Sequence, residues 1–95
     1  MEITTSSNTV TINGNIKSIN DFQDIKNTID SVKSSNTSIT LVLEDSISIT
    51  SSVIGYLNKI VLKDKITLNT RVGNPQLMEL LSDLSLIDIF NAKRA

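Results

Sequence analysis

Residues Ile39-Thr-Leu-Val-Leu43 form a short, nearly continuous apolar run with a helical pattern on either side. A run of this length reads as a strand covered on both faces. Upstream, Ile19, Phe22, Ile25, Ile29 and Val32 recur at spacings of three and four, with Gln23, Asp24, Lys26 and Asn27 between them. Downstream, Val53, Ile54, Leu57, Ile60 and Val61 recur likewise, with Asn58, Lys59 and Lys63 on the opposite side. Each pattern is that of an amphipathic helix. Strands joined through helical crossovers pair in parallel, so this alternation restricts the chain to a sheet with parallel pairs and helices packed on it.

The remaining segments supply the other elements. Glu2 to Thr5 and Thr9 to Asn13 alternate and are rich in β-branched residues, with Ser6-Ser-Asn8 between them, so they read as a β-hairpin. Gly14 and Asn15 break that pattern. Ser18, with Asp21 three residues later, resembles a capping box, and Asn20 is an equally good cap. The run Ser34 to Ser38 ends the first helix as a loop. Ile47-Ser-Ile49 alternates briefly, and the second helix is expected from about Ser52 to Leu62, with Lys59 and Lys63 in its last turns, where cations suit the helix dipole. Ile66 to Val72 alternates as a strand. Asn74 caps a third helix with Pro75 at its first position, and Leu77, Leu80, Leu81 and Leu84 form its apolar stripe. Leu86, Ile87, Ile89 and Phe90 close the fold, and residues 91–95 are expected to be a frayed tail. The expected architecture is a single α/β domain over residues 1–95 in the order ββαβαβα, a mixed sheet with helices mainly on one face. No internal repeat, low-complexity segment or domain boundary interrupts it.

Composition narrows the function. The chain has 9 basic and 10 acidic residues and a formal net charge of −1, so it offers no basic face for a phosphate backbone and no polybasic membrane anchor. Aromatic residues are only 3%, too few for a base-stacking platform. A partner is therefore expected to be neither nucleic acid nor membrane. With no Cys and no His, disulfides, thiol chemistry and the usual zinc sites are excluded, and no cofactor is expected. No run of about 18 apolar residues occurs, and Met1 to Val10 lacks the basic and apolar regions of a signal peptide, so a cytoplasmic location is expected.

Catalysis finds little support in the side chains. Glu44 and Asp45 are adjacent carboxylates at a strand end, where hard metals are often bound, but successive strand side chains point to opposite faces. They read as solvated loop acids, and a small hydrolase would rest on them alone. No nucleophile–base pair, Ser-x-x-Lys motif or Gly-rich phosphate loop exists. The chain is read as a non-enzyme. The remaining feature is the hydroxyl triplet Thr50, Ser51 and Ser52 at the start of the second helix. At least one of the three caps that helix, which stabilises it by about 1 kcal/mol. The same place suits a phosphoryl group, because the first backbone N–H groups are unpaired and the dipole presents roughly +0.5 charge there.

The order of elements and two segments resemble the STAS domain, the family that includes bacterial anti-anti-sigma factors. The resemblance runs from about Val10 to Phe90. One segment is similar to the family's Asp-Ser-Ser/Thr-Gly-Leu-Gly turn: Thr50 takes the Asp position, Ser51 the phosphorylated Ser position, and Ser52 follows. Val53 then replaces the first Gly, Ile54 matches Leu, and Gly55 matches the second Gly. The other segment is Val72 to Phe90, with its Gly-Asn-Pro turn, paired leucines and Leu-x-x-hydrophobic-Phe ending. Gly14-Asn15-Ile16 also looks like the family's Gly-x-hydrophobic.

The resemblance implies a signal-transduction protein that regulates transcription by partner switching, an anti-sigma factor antagonist. It implies binding to a serine/threonine kinase or anti-sigma protein of the GHKL ATPase type, phosphorylation that blocks binding, and a PP2C-type phosphatase that restores it. Ser51 is the first candidate acceptor and Thr50 the second, with Ser52 beside them. Thr50, Ser51, Ser52, Val53 and Asn58 are the expected partner contacts. A constitutive STAS binding module without phosphorylation, serving a transporter ATPase or a signalling complex, is the alternative.

Overall fold

The computed structural model describes residues 1–95. Strands β1 (Glu2–Ser6) and β2 (Thr9–Asn13) form an antiparallel hairpin whose turn places Ser7 in the left-handed region at φ 56°. Asn8 ties this turn to the next strand: its side-chain amide donates to the Ser38 carbonyl at 2.8 Å, and its own carbonyl accepts from Thr40 N–H at 3.0 Å. Helix α1 (Ile19–Lys33) leads to β3 (Ser38–Leu43), α2 (Ser51–Leu62) to β4 (Thr67–Val72), and α3 (Pro75–Asp83) to β5 (Ala92–Arg94).

The five strands lie in sequence order, β1-β2-β3-β4-β5, and all pairs after the first are parallel. Every crossover steps to the next strand in the same direction. Right-handed connections then put all three helices on one face, as the mixed-sheet expectation required. Burial alternates along the strands accordingly. Val10, Leu41, Thr70 and Ala92 stand in one buried row, and Ile12, Leu43 and Val72 in the next. Thr70 aside, they join Ile25, Ile29, Leu57, Ile60, Leu77, Leu81 and Phe90 from beneath in a single core cluster of 22 apolar residues, which fits one domain.

Three expectations are corrected. Ile39 to Leu43 is covered on one face only: Ile39, Leu41 and Leu43 are buried, whereas Thr40 and Val42 are half-buried on the open side. With all crossovers on one side, no helix is left for the other. Residues 91–95 are not a frayed tail, because Ala92 to Arg94 pair with β4 as a fifth strand, Ala92 is buried, and Ala95 N–H bonds the Val72 carbonyl at 3.0 Å. The order is therefore ββαβαβαβ. Asn20 lies within α1, and Ser18 is its cap: the Ser18 hydroxyl accepts from Asp21 N–H at 3.1 Å while the Asp21 carboxylate accepts from Ser18 N–H at 3.2 Å. No helix is long and apolar enough to cross a membrane.

Candidate partner-binding site

The carboxyl ends of β2, β3 and β4 all face one edge of the sheet, and the helix N-termini start there. Ligands of α/β folds bind at this edge, in the crevice where the strand order reverses. Here the order never reverses, so no such crevice opens. The edge is a surface of loops instead.

Those loops are braced to one another. Asp45 Oδ1 accepts from Gly14 N–H at 2.6 Å, the buried Ser46 hydroxyl donates to the Gly14 carbonyl at 2.7 Å, and Asn15 Oδ1 accepts from Ile47 N–H at 3.0 Å. Gly14 itself sits at φ 91°, a conformation L side chains rarely adopt. Asp45 is thus a brace between loops, while Glu44 is exposed. No three carboxylates or other ligating side chains converge anywhere in the chain. Next to the brace, the Asp21 carboxylate accepts from Lys17 N–H at 2.9 Å. That bond and the one from Ser18 outweigh partial desolvation and hold Asp21 below the usual carboxylate range.

The hydroxyl triplet divides into two roles. Thr50 is the cap of α2: its Oγ1 accepts from Val53 N–H at 3.3 Å. Ser51 and Ser52 occupy the first two helical positions, exposed and without side-chain hydrogen bonds. Thr50 and Ser52 border a recess of about 140 Å³ shared with Lys17, Ser18, Ile19 and Phe22 of the α1 end. Two helix N-termini and one lysine therefore stand beside the triplet. Ile19, 79% exposed, and Ile47, 48% exposed, flank the same edge as unpartnered apolar side chains.

The expected contact residue Val53 is corrected: at 1% exposure it belongs to the core. The helix turns it inward together with Tyr56, Leu57 and Ile60. Its place on the outer surface goes to Ile54 and Gly55. Asn58 remains partly exposed two turns along from Ser51, and both lie on the outer stripe that runs through Gly55 to Leu62.

Tyr56, not among the candidate residues above, joins this helix to α1. Its hydroxyl donates to the Asp30 carboxylate of α1, and its ring meets Phe22 edge-on at 6.4 Å. Lys26 and Lys33 each stand 5.9 Å from the ring centroid and pair with Asp30 at 3.0 and 3.3 Å. Lys33 also reaches Asp64 beyond the end of α2, at 2.8 Å. Desolvation pushes the Asp30 pKa up, but the bonds from Tyr56, Lys26 and Lys33 prevail and lower it to about 2. Burial, and then the bond to Asp30, raise the Tyr56 pKa. The spacing of Val53, Tyr56, Leu57 and Ile60 was the available signal.

No family model, curated protein or solved structure matches the chain.

Proposed function

We propose that this protein is a partner-switching regulator of the STAS type, similar to an anti-sigma factor antagonist. In this reading the α2 edge binds a GHKL-type kinase or anti-sigma protein, and phosphorylation of Ser51 sets the affinity. One observation carries it: the Thr50 hydroxyl is committed to capping α2, whereas the Ser51 hydroxyl is exposed at the first helical position. The cap and the acceptor are thus separate residues, and modification leaves the cap in place.

Ser51 Oγ forms a bond to the γ-phosphorus of ATP, the bond to the bridging oxygen breaks to release ADP, and the hydroxyl proton passes to a base of the kinase. A PP2C-type phosphatase returns the hydroxyl by transferring the phosphoryl group to water. The phosphate adds roughly −1.5 to −2 charge at pH 7. At a helix N-terminus such a charge is favoured by about 0.3–1 kcal/mol, so the fold tolerates it. The surface seen by the partner changes instead, and the switch consists of that differential affinity. The absence of a strand-order reversal favours a protein over a small molecule as the ligand.

The test is the affinity of the GHKL-type protein encoded nearest this chain's gene for wild type, Ser51→Ala and Ser51→Asp. Loss of binding of tenfold or more in Ser51→Asp alone supports the proposal. Equal binding of all three points to a constitutive module.

A further inference from the structure

The outer stripe of α2 carries two residues that the isolated fold does not use. Gly55 lies in the middle of the helix, and a Cβ placed on it would meet nothing within 4 Å. No internal contact requires glycine there, yet glycine in a helix interior costs about 1 kcal/mol relative to alanine. Asn58 Oδ1 is enclosed and accepts no hydrogen bond, which is a further cost to the free chain. Both residues line one recess of about 340 Å³ with Lys59, Leu62 and Lys63. Leu62 is 58% exposed.

The shape and charge of this recess specify an occupant. Gly55 to Lys63 spans about 12 Å of helix. A missing side chain at its upper end lets another backbone approach closely, and helix–helix distance is set by the side chains at the crossing. Half-buried Ile54 and Val61 border the stripe on one side, and Lys59 and Lys63 on the other. No acidic residue lines the recess. Lys63 has no carboxylate partner, and Lys59 has only Asp64, at 3.9 Å.

We infer that this open face of α2 receives an acidic amphipathic helix of a partner protein, packed along Gly55, Asn58 and Leu62. Its apolar side meets Ile54, Val61 and Leu62, and its carboxylates meet Lys59 and Lys63. The smallest residues of the incoming helix cross at Gly55. This rests on the reading of α2 as the partner-facing helix and names the chemistry of what it meets. It also supplies the reason for switching: Ser51 stands one turn before Gly55 on the same stripe, so a phosphate there repels an acidic helix.

The test uses the full unphosphorylated chain and two capped helical peptides of about 20 residues, long enough to hold helix in water. One carries Glu along one flank, Leu along the other and Ala between them. The second has Lys in place of every Glu. Backbone amide shifts are followed for the isotope-labelled protein. The expected result is saturable shifts confined to α2 with the acidic peptide, weakened at least tenfold in Gly55→Leu, and a reversed preference in the double variant Lys59→Glu, Lys63→Glu. Gly55→Ala is expected to raise the denaturation midpoint of the free chain, so lost binding at this position is separable from misfolding. Equal binding of both peptides, no shifts on α2, or undiminished binding by Gly55→Leu overturns the inference. The phosphorylation reading survives that outcome if Ser51→Asp still releases the GHKL-type protein, so the two failures are distinct.

Discussion

Thr50 Oγ1 accepts a hydrogen bond from Val53 N–H at 3.3 Å, and this bond divides the labour within the hydroxyl triplet. Thr50→Ala removes a helix cap and is expected to destabilise the fold by about 1 kcal/mol, whereas Thr50→Asp keeps a capping oxygen and most of the stability. Ser51→Ala changes an exposed hydroxyl without a side-chain bond and should stay within about 0.5 kcal/mol of wild type. Urea denaturation of the three variants separates the capping hydroxyl from the exposed one.

Tyr56 and Asp30 clasp α2 to α1, with Lys26 and Lys33 completing the cluster. Tyr56→Phe removes a donor to a carboxylate, and the Asp30 pKa is expected to rise from about 2 toward the ordinary carboxylate range. Asp30 has a lowered folded pKa, so its contribution is present above the unfolded value of about 3.9 and is lost as pH falls toward 2. Asp64, lowered chiefly by its bond to Lys33, acts in the same direction. Denaturation midpoints should therefore fall below about pH 4, and less steeply in Tyr56→Phe. With no His in the chain, little change is expected from about pH 5 to 8.

Gly73 and Gly55 should respond to alanine with opposite signs. A Cβ on Gly73 would lie 2.0 Å from the Glu44 carbonyl oxygen, so β4 and the loop after β3 would have to separate. Gly73→Ala is expected to cost about 1–3 kcal/mol or to prevent folding. Gly55→Ala should stabilise by up to about 1 kcal/mol. Thermal melts decide both.

Truncation after Phe90 removes β5, which covers the edge of β4 and buries Ala92. The shortened chain is expected to melt at lower temperature and to expose the β4 edge, with aggregation as the second readout. Thr70→Val tests the same row from the other side. Thr70 Oγ1 is buried without a hydrogen bond, so an isosteric apolar side chain should be neutral or stabilising.

The hairpin, the three helices and β3 and β4 were legible because each has its own local pattern: alternation, a stripe of period 3.6, a capping box, an Asn-Pro start. β5 was not, since Ala92-Lys-Arg94 carries no β-branched residue and exists through pairing with β4. The single covered face of β3 was hidden for the same kind of reason, as Thr40 and Val42 look as strand-like as their buried neighbours. At the site, the triplet itself stood out, but which hydroxyl caps α2 depends on which one meets Val53 N–H. Val53 was misplaced because its contact role came from the resemblance alone, whereas its place on the apolar stripe with Leu57 and Ile60 already pointed to the core. Asp45 looked like a free loop acid because Gly14, its partner, is 31 residues away.

The proposed switch depends on Ser51 as its modified residue. The most direct measurement is intact mass and phosphosite mapping after incubation with ATP and the GHKL-type kinase encoded nearest this chain's gene. A single added phosphoryl group is expected on Ser51, absent in Ser51→Ala and retained in Thr50→Asp. No added phosphate on wild type, or the same stoichiometry in Ser51→Ala, would contradict it.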